Sequence, residues 1–350
     1  MRVLAWPAAT GRKDSPYPFL LASALEARGV VVDEFSLRRL GTGRYDIVHV
    51  HWPDSILYRP TVREAAARVA ALIPLLHVAR RRGARLVWTV HNLRSHERHY
   101  PRVAATWHRG FLPQVDGWIS LTEAGVGDAT RALPRLAGRP HAVIPSGHFA
   151  SEYPGTVDRA EARRLLDIAD EAPTVLFFGQ IRGYKNVPGL IRAFRGIADS
   201  NAVLVVAGRP LSEDLADEVR AAAAGDDRIR LRLGFVDAGD VQALLRSADL
   251  VVLPYTEIFN SGSAVLAVTF ACPVLVPGFG ALAELGDLVG DGWVRTYAGE
   301  LSTEAIVAAL AEPVPPSPPD LTALDWDAVA AATEAFYRRL QLPRRRRSPA

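Results

Sequence analysis

The chain has 350 residues, 49% of them hydrophobic and 23% charged, with a formal net charge of +3. This is the composition of an ordinary globular protein, and at roughly 100–200 residues per domain the length predicts two domains. A single cysteine, Cys272, excludes a disulfide scaffold, and the modest charge excludes a nucleic-acid binder that works by bulk electrostatics.

The first strand is predicted at 3–6, and the few residues before it lack the longer apolar core of a secretory signal. A helix over 17–28, a strand over 47–51, a helix over 62–82 and strands over 86–91 and 117–121 follow. Strands that alternate with helices predict a parallel α/β sheet. Within 62–82, Val69, Leu72, Ile73, Leu75 and Leu76 form an apolar side, and Arg63, Arg68, Arg80, Arg81 and Arg82 supply positive charge. Packing against a core is the favoured reading of that helix, and docking on an anionic membrane surface is the alternative. Pro74 predicts a kink or an end within it.

Pro145, Gly147, Pro154 and Gly155 punctuate a join over 146–172, which holds a charged helix over 159–167. A second series has strands at 175–178, 202–207, 229–233, 250–253 and 274–276, with helices at 187–197, 213–224, 240–247 and 263–270. The expected domains are therefore 1–150 and 151–322, both Rossmann-like. Five prolines in 313–319 make a stiff spacer, and a last helix at 326–340, within a segment 323–342, is expected to return to the first domain. Residues 343–350, with Arg344 to Arg347, read as a solvated basic tail. No apolar run is long enough to span a bilayer. A cytoplasmic protein is expected, with at most peripheral contact to the inner face of the membrane through 62–82. Cys272 lies in an apolar run and reads as a buried, inert thiol.

Two loops of the second half carry chemistry. One strand ends at Gly179 and opens into Gln180, Arg182 and Lys185. Ligands of open α/β sheets bind at strand carboxyl ends, and an arginine fork with a lysine point charge suits a diphosphate. Lysine occurs only at two positions, 13 and 185, in a chain whose positive charge is otherwise arginine. The other loop contains Glu257 and then Ser261, Gly262 and Ser263 before an apolar helix. A serine there caps the helix, and Gly262 lets an anion approach free backbone N–H groups. Taken singly, these are a basic surface loop and an ordinary helix cap. In the first half, His49 and His51 precede Trp52 and Asp54, and His91 is followed by Glu97. Both histidine groups end strands, which predicts one polar edge, and their spacing is not that of a zinc site.

Together these segments resemble the GT-B retaining glycosyltransferases of the large glycosyltransferase family 4 group. Gly179, Lys185, Glu257 and the run from Ala271 to Val274 match its donor-domain positions, with Arg182 standing in for an arginine whose usual place Gln180 occupies. His91 matches a histidine beside the transferred sugar, and His49, His51, Trp52 and Asp54 resemble an acceptor-side loop. The segment 144–148 matches the inter-domain crossover and puts His148 on the donor side. The family's second glutamate, which holds the ribose, would fall at Val265 or Leu266. That departure resembles a divergent subgroup that includes bacterial GDP-mannose-dependent glycolipid mannosyltransferases.

The resemblance implies two Rossmann-like domains facing each other across a cleft, and hexose transfer from a nucleotide sugar without a metal or other cofactor. GDP-mannose is the first donor implied and a UDP-sugar the second. The acceptor would be a hydroxyl of a glycan, a glycolipid or a small molecule. Lys185, Arg182 and the turn from Ser261 to Ser263 would neutralise the diphosphate, Glu257 would orient the sugar, and Asp54 or Glu97 would be the base if the reaction inverts. A non-catalytic sugar-nucleotide-binding protein is the alternative. A nicotinamide oxidoreductase ranks below it, because no G-x-G-x-x-G follows the first strand.

Overall fold

The computed structural model describes residues 1–12, 15–93, 100–153, 155–257 and 259–342. It divides into two compact units, Met1–Gly147 with the segment from Ala323, and His148–Thr322.

The first unit runs β1 (Arg2–Trp6), α1 (Tyr17–Ala27), β2 (Val31–Glu34), α2 (Leu37–Thr42), β3 (Ile47–Val50), α3 (Val62–Arg81), β4 (Arg85–Val90), α4 (Pro101–Phe111), β5 (Gly117–Ser120), α5 (Glu123–Ala132) and β6 (His141–Val143). Its six strands are parallel in the order β2-β1-β3-β4-β5-β6. β3 and β5 are buried throughout and β1 and β4 almost so, the pattern of a sheet covered on both faces.

The second unit runs α6 (Arg159–Leu165), β7 (Thr174–Phe178), α7 (Val187–Arg195), β8 (Val203–Ala207), α8 (Glu213–Ala223), β9 (Ile229–Arg232), α9 (Ala238–Ser247), β10 (Leu250–Val252), α10 (Gly262–Thr269), β11 (Val274–Pro277), α11 (Ala281–Val289), β12 (Val294–Tyr297) and α12 (Thr303–Ala311). Its parallel strands lie in the order β12-β11-β10-β7-β8-β9. Cys272 is buried beside β11, and burial pushes its thiol up to about 12, so it stays protonated and inert.

The chain then returns as α13 (Trp326–Gln341) to the first unit. Its Val329, Ala330, Phe336, Tyr337 and Leu340 join the core of α1 and the sheet. Two glycines make room: a Cβ at Gly117 would lie 2.8 Å from Leu340, and one at Gly147 would lie 2.4 Å from the Trp326 indole. Arg28, just past the end of α1, ties the helix down through Asp327 at 2.8 Å and Glu334 at 3.1 Å.

Helix α3 differs from expectation by running unbroken through Pro74. Pro74 and Ala70 both stand at exposed positions, so the carbonyl that proline frees lies on the solvent side of the helix, where the loss of its hydrogen bond costs least. The apolar side is spent on the core, with Val69, Leu72 and Leu76 buried and Ile73 packed over Gly110. Arg80 forks onto Asp116 at 3.0 and 2.7 Å, which leaves Arg63, Arg68 and Arg81 of the helix's arginines on the surface without that partner.

Candidate active site

In the second sheet the strand order reverses between β7 and β10, and ligands of such sheets bind outside the strand carboxyl ends at that point. The loops leaving those two strands carry the donor-side residues. Gly179 follows β7 at φ +126°, a backbone conformation side chains rarely adopt. A Cβ on it would lie 2.7 Å from Ser263 Oγ and 3.4 Å from Lys185 Nζ. Ser263, far along the chain, therefore meets Gly179 and Lys185 at one notch that only glycine leaves open. Gly208, after β8, presses on the same turn, since a Cβ there would lie 1.8 Å from the Gly179 carbonyl oxygen.

Ser261 caps α10, its hydroxyl accepting the Ala264 N–H at 3.2 Å. The N–H groups of Gly262 and Ser263 remain without an intrahelical partner, and the helix dipole makes them favourable to an anion. Lys185 Nζ lies 5.2 Å from the centroid of the buried Tyr255 ring and, among the described residues, has no carboxylate partner. The Tyr255 hydroxyl is buried and unpaired. Thr256 donates to the Tyr184 carbonyl through its N–H at 2.8 Å and its hydroxyl at 3.1 Å, which joins the two loops.

Arg182 is held by the Gln180 side chain at 2.8 Å and the Ile181 carbonyl at 3.2 Å. His148 accepts the Ala150 N–H at 3.3 Å, and the next residue, Phe149, reaches α10 by donating its N–H to Thr269 at 3.4 Å. Glu257 is exposed, and no contact ties it to the notch among the described residues.

In the first sheet the order reverses between β1 and β3. The loop after β1 is not an open anion nest. Glu34 Oε2, at the end of β2, accepts the N–H groups of Ala8, Ala9 and Thr10 at 3.2, 2.7 and 2.9 Å. The protein's own carboxylate thus takes the place where a dinucleotide fold binds pyrophosphate.

Beside that loop stands a buried cluster of histidines. His51 Nδ1 and His91 Nε2 are 3.2 Å apart, Trp52 stacks on His91 at 4.8 Å, and Tyr17 meets both imidazoles edge-on. His49 differs from its expected acceptor-side role. It is 1% exposed, and its two ring nitrogens are taken by the Thr89 hydroxyl at 2.7 Å and the Tyr337 hydroxyl at 2.6 Å. It supports the cluster from behind and ties it to α13. Burial pushes His49 and His91 down to about 3 and His51 well below its ordinary value, so all three are neutral at pH 7. Among the described residues no three His, Cys, Asp or Glu side chains converge as a metal site requires.

Asp54 lies in the short 3-10 turn after β3 and accepts a hydrogen bond from His108 of α4 at 2.7 Å. That bond raises the affinity of His108 for its proton. The pair lines a cavity of about 90 Å³ with Trp52, Tyr58, Trp88 and Asn92. Glu97 lies outside the described residues.

Residues 172–312 match the family model for glycosyl transferases group 1. The chain is 31% identical over 301 residues to GDP-mannose:glycolipid 4-beta-D-mannosyltransferase of Xanthomonas campestris pv. campestris, a match covering 83% of this chain and 79% of that protein. The chain belongs to the group 1 glycosyltransferases.

The fold of this glycosyltransferase agrees with that assignment. Sucrose-phosphate synthase from Thermosynechococcus elongatus superposes with a TM-score of 0.70 at 16% identity, over 97% of this chain and 98% of that one. Anabaena HepE, solved in complex with UDP and glucose, superposes with a TM-score of 0.62 at 17% identity, over 97% of both chains. The architecture is GT-B, two six-stranded parallel sheets with their helices, and the chain is an enzyme that uses a nucleotide-sugar donor. The oxidoreductase and the non-catalytic binding protein fall away.

Among the sequence-predicted residues, the glycosyltransferase brings together Gly179, Lys185 and Ser263 in one unit, and His49, His51, Trp52 and His91 in the other. Sequence reasoning missed Glu34, Thr89, His108, Tyr255 and Tyr337. Of these, Tyr255 alone carried a signal, since it lies in the loop that runs from the strand to the Ser261 turn.

Proposed function

We propose that this glycosyltransferase moves a hexose, mannose first, from a nucleotide diphosphate donor held by the second unit to a hydroxyl of a glycan or lipid-linked acceptor. The observation that carries the donor assignment is the notch at Gly179, Lys185 and Ser263. GDP-mannose is the first donor because the Xanthomonas relative is named for it; UDP-sugars come second.

As the bond from C1 of the sugar to the phosphate oxygen breaks, negative charge collects on the departing diphosphate. Lys185, Arg182 and the N–H groups opening α10 offset that charge, and they act more strongly on the transition state than on the bound donor. Glu257 orients the sugar, and His148 lies on the donor side. The relative's product is β-linked. A β-linked product from an α-linked sugar nucleotide forms with inversion, which needs a base for the acceptor hydroxyl. Asp54, oriented by His108, takes that proton as the acceptor oxygen bonds to C1. His91, neutral and backed by His51 and His49, is the residue we assign to the transferred sugar, to which it offers a hydrogen bond rather than a charge.

No described helix is long and apolar enough to cross a membrane. Contact with an anionic lipid surface, if the acceptor is lipid-linked, falls to the exposed Arg63, Arg68 and Arg81 of α3.

The test is transfer and nucleotide release with GDP-mannose and UDP-sugars in wild type and Lys185→Ala. Losing a hydrogen bond to a charged group is worth about 1.5–3 kcal/mol, so kcat/KM should fall by about 10–100-fold. A Lys185→Ala enzyme of undiminished efficiency overturns the donor assignment.

A further inference from the structure

We infer that Tyr255 is a positioning residue of the donor site: its ring holds the Lys185 ammonium at the Gly179 notch and leaves the charge free for a phosphate. That a phosphate comes there rests on the donor reading above; the hold of the ring on the lysine does not.

The backbone around Lys185 is fixed on both sides. Thr256 gives two hydrogen bonds to the Tyr184 carbonyl, through its N–H at 2.8 Å and its hydroxyl at 3.1 Å. Lys185 donates its own N–H to the Arg182 carbonyl at 3.0 Å, and Asn186 stands in the left-handed region at φ +50° where α7 begins. What remains free is the lysine side chain, a flexible stem that ends in a point charge. Such a stem needs a surface to rest on if its ammonium is to stay at the notch. Lys185 Nζ lies 5.2 Å from the centroid of the Tyr255 ring, within the roughly 6 Å over which a ring face attracts a cation. The ring is a firm platform, because Tyr255 is 3% exposed and the Tyr184 ring meets it edge-on at 6.1 Å.

A ring and a carboxylate would hold the lysine with different consequences. A carboxylate would offset the charge of the ammonium and repel an incoming phosphate. A ring orients the ammonium and leaves its net charge uncancelled. The Tyr255 hydroxyl has no hydrogen-bond partner among the described residues, so the hold falls to the ring alone. Tyr255→Phe therefore keeps the hold and breaks no hydrogen bond.

Lysine occurs only at positions 13 and 185, so the full chain isotope-labelled at lysine Cε gives one signal for each, and Lys185→Ala assigns them. In wild type the NMR signal of the Lys185 Hε protons should lie upfield of its position in Tyr255→Leu, through the ring current, and Tyr255→Phe should restore the upfield position. Calorimetry then follows GDP or UDP, whichever wild type binds more tightly. Tyr255→Leu should weaken binding by about 3–30-fold, the range of one cation–π contact, and Tyr255→Phe should restore it. In a Lys185→Ala background Tyr255→Leu should cost less than about twofold more, because the ring then has nothing to hold. Tyr255→Met takes the place of Tyr255→Leu if that variant fails to fold. Equal losses in the two backgrounds mean that the ring only fills the core, and they overturn the role. So does a Lys185 signal that Tyr255→Leu leaves in place, or a Tyr255→Phe protein that binds no better than Tyr255→Leu. Weak binding by Lys185→Ala beside undiminished binding by Tyr255→Leu overturns the role of Tyr255 alone. Undiminished binding by Lys185→Ala overturns the donor assignment, and the role of Tyr255 with it.

Discussion

Gly179 concentrates the donor chemistry into one backbone position. Its left-handed φ and its closeness to Ser263 and Lys185 mean that a methyl group would both strain the turn and fill the notch. Gly179→Ala should therefore weaken GDP binding by at least about tenfold in calorimetric titration, a loss of about 1.4 kcal/mol. Gly183 is the matched control, since a Cβ there meets nothing within 4 Å and Gly183→Ala should bind as wild type. The histidine cluster makes a second prediction at this scale. His49 and His91 are held near 3, and His51 is held well below its ordinary value, so between pH 6.5 and about 3 the unfolded chain binds protons that the folded one refuses. Stability then falls as pH falls, by up to about 1.4 kcal/mol per pH unit for each histidine. His108 has the opposite sign. Its pKa is raised by Asp54, so its contribution is complete below about 6.5 and is lost as pH rises through the folded value. Thermal unfolding followed from pH 8 to pH 4 should show a steep acid decline, and that decline should lessen in His49→Asn.

At the scale of elements, α13 is a strut for the site. It carries Tyr337 to His49, which contacts His51, which bonds His91. Tyr337→Phe keeps the ring in the core but leaves a buried nitrogen of His49 unpaired, at a cost of about 1–3 kcal/mol in chemical denaturation. The sequence made the helix itself legible through its apolar periodicity, and it made the central strands legible because β3, β7 and β8 are short apolar runs. It did not reveal β2, β6 or β12. These are strands of three or four residues, partly exposed and too short and mixed in polarity for an apolar run or an alternation to show. Nor could it show what His49 does, since its partners Thr89 and Tyr337 lie 40 and 288 residues away. The two donor loops were readable as motifs. Their meeting at Gly179 was not, because it depends on β10 lying next to β7 with three helices and two strands of sequence between them.

The whole chain divides its work between two units with separate cores, and each ligand should leave its mark on one of them. A nucleotide that binds the folded state stabilises it by about 2.7 kcal/mol at a hundredfold excess over its Kd. That energy acts first on the unit that makes the contacts. With GDP at such an excess, amide hydrogen exchange should slow in the loops after β7 and β10 and in the first turn of α10. The loop of Ala8, Ala9 and Thr10 should exchange as it does without ligand, because Glu34 already holds those three N–H groups. Glu34→Ala separates the two possibilities for that loop. If Glu34 only closes the turn, the variant loses stability and binds GDP unchanged. If the vacated nest takes a phosphate, GDP protection spreads to those three amides, and the diphosphate grip can no longer be assigned to the second unit alone.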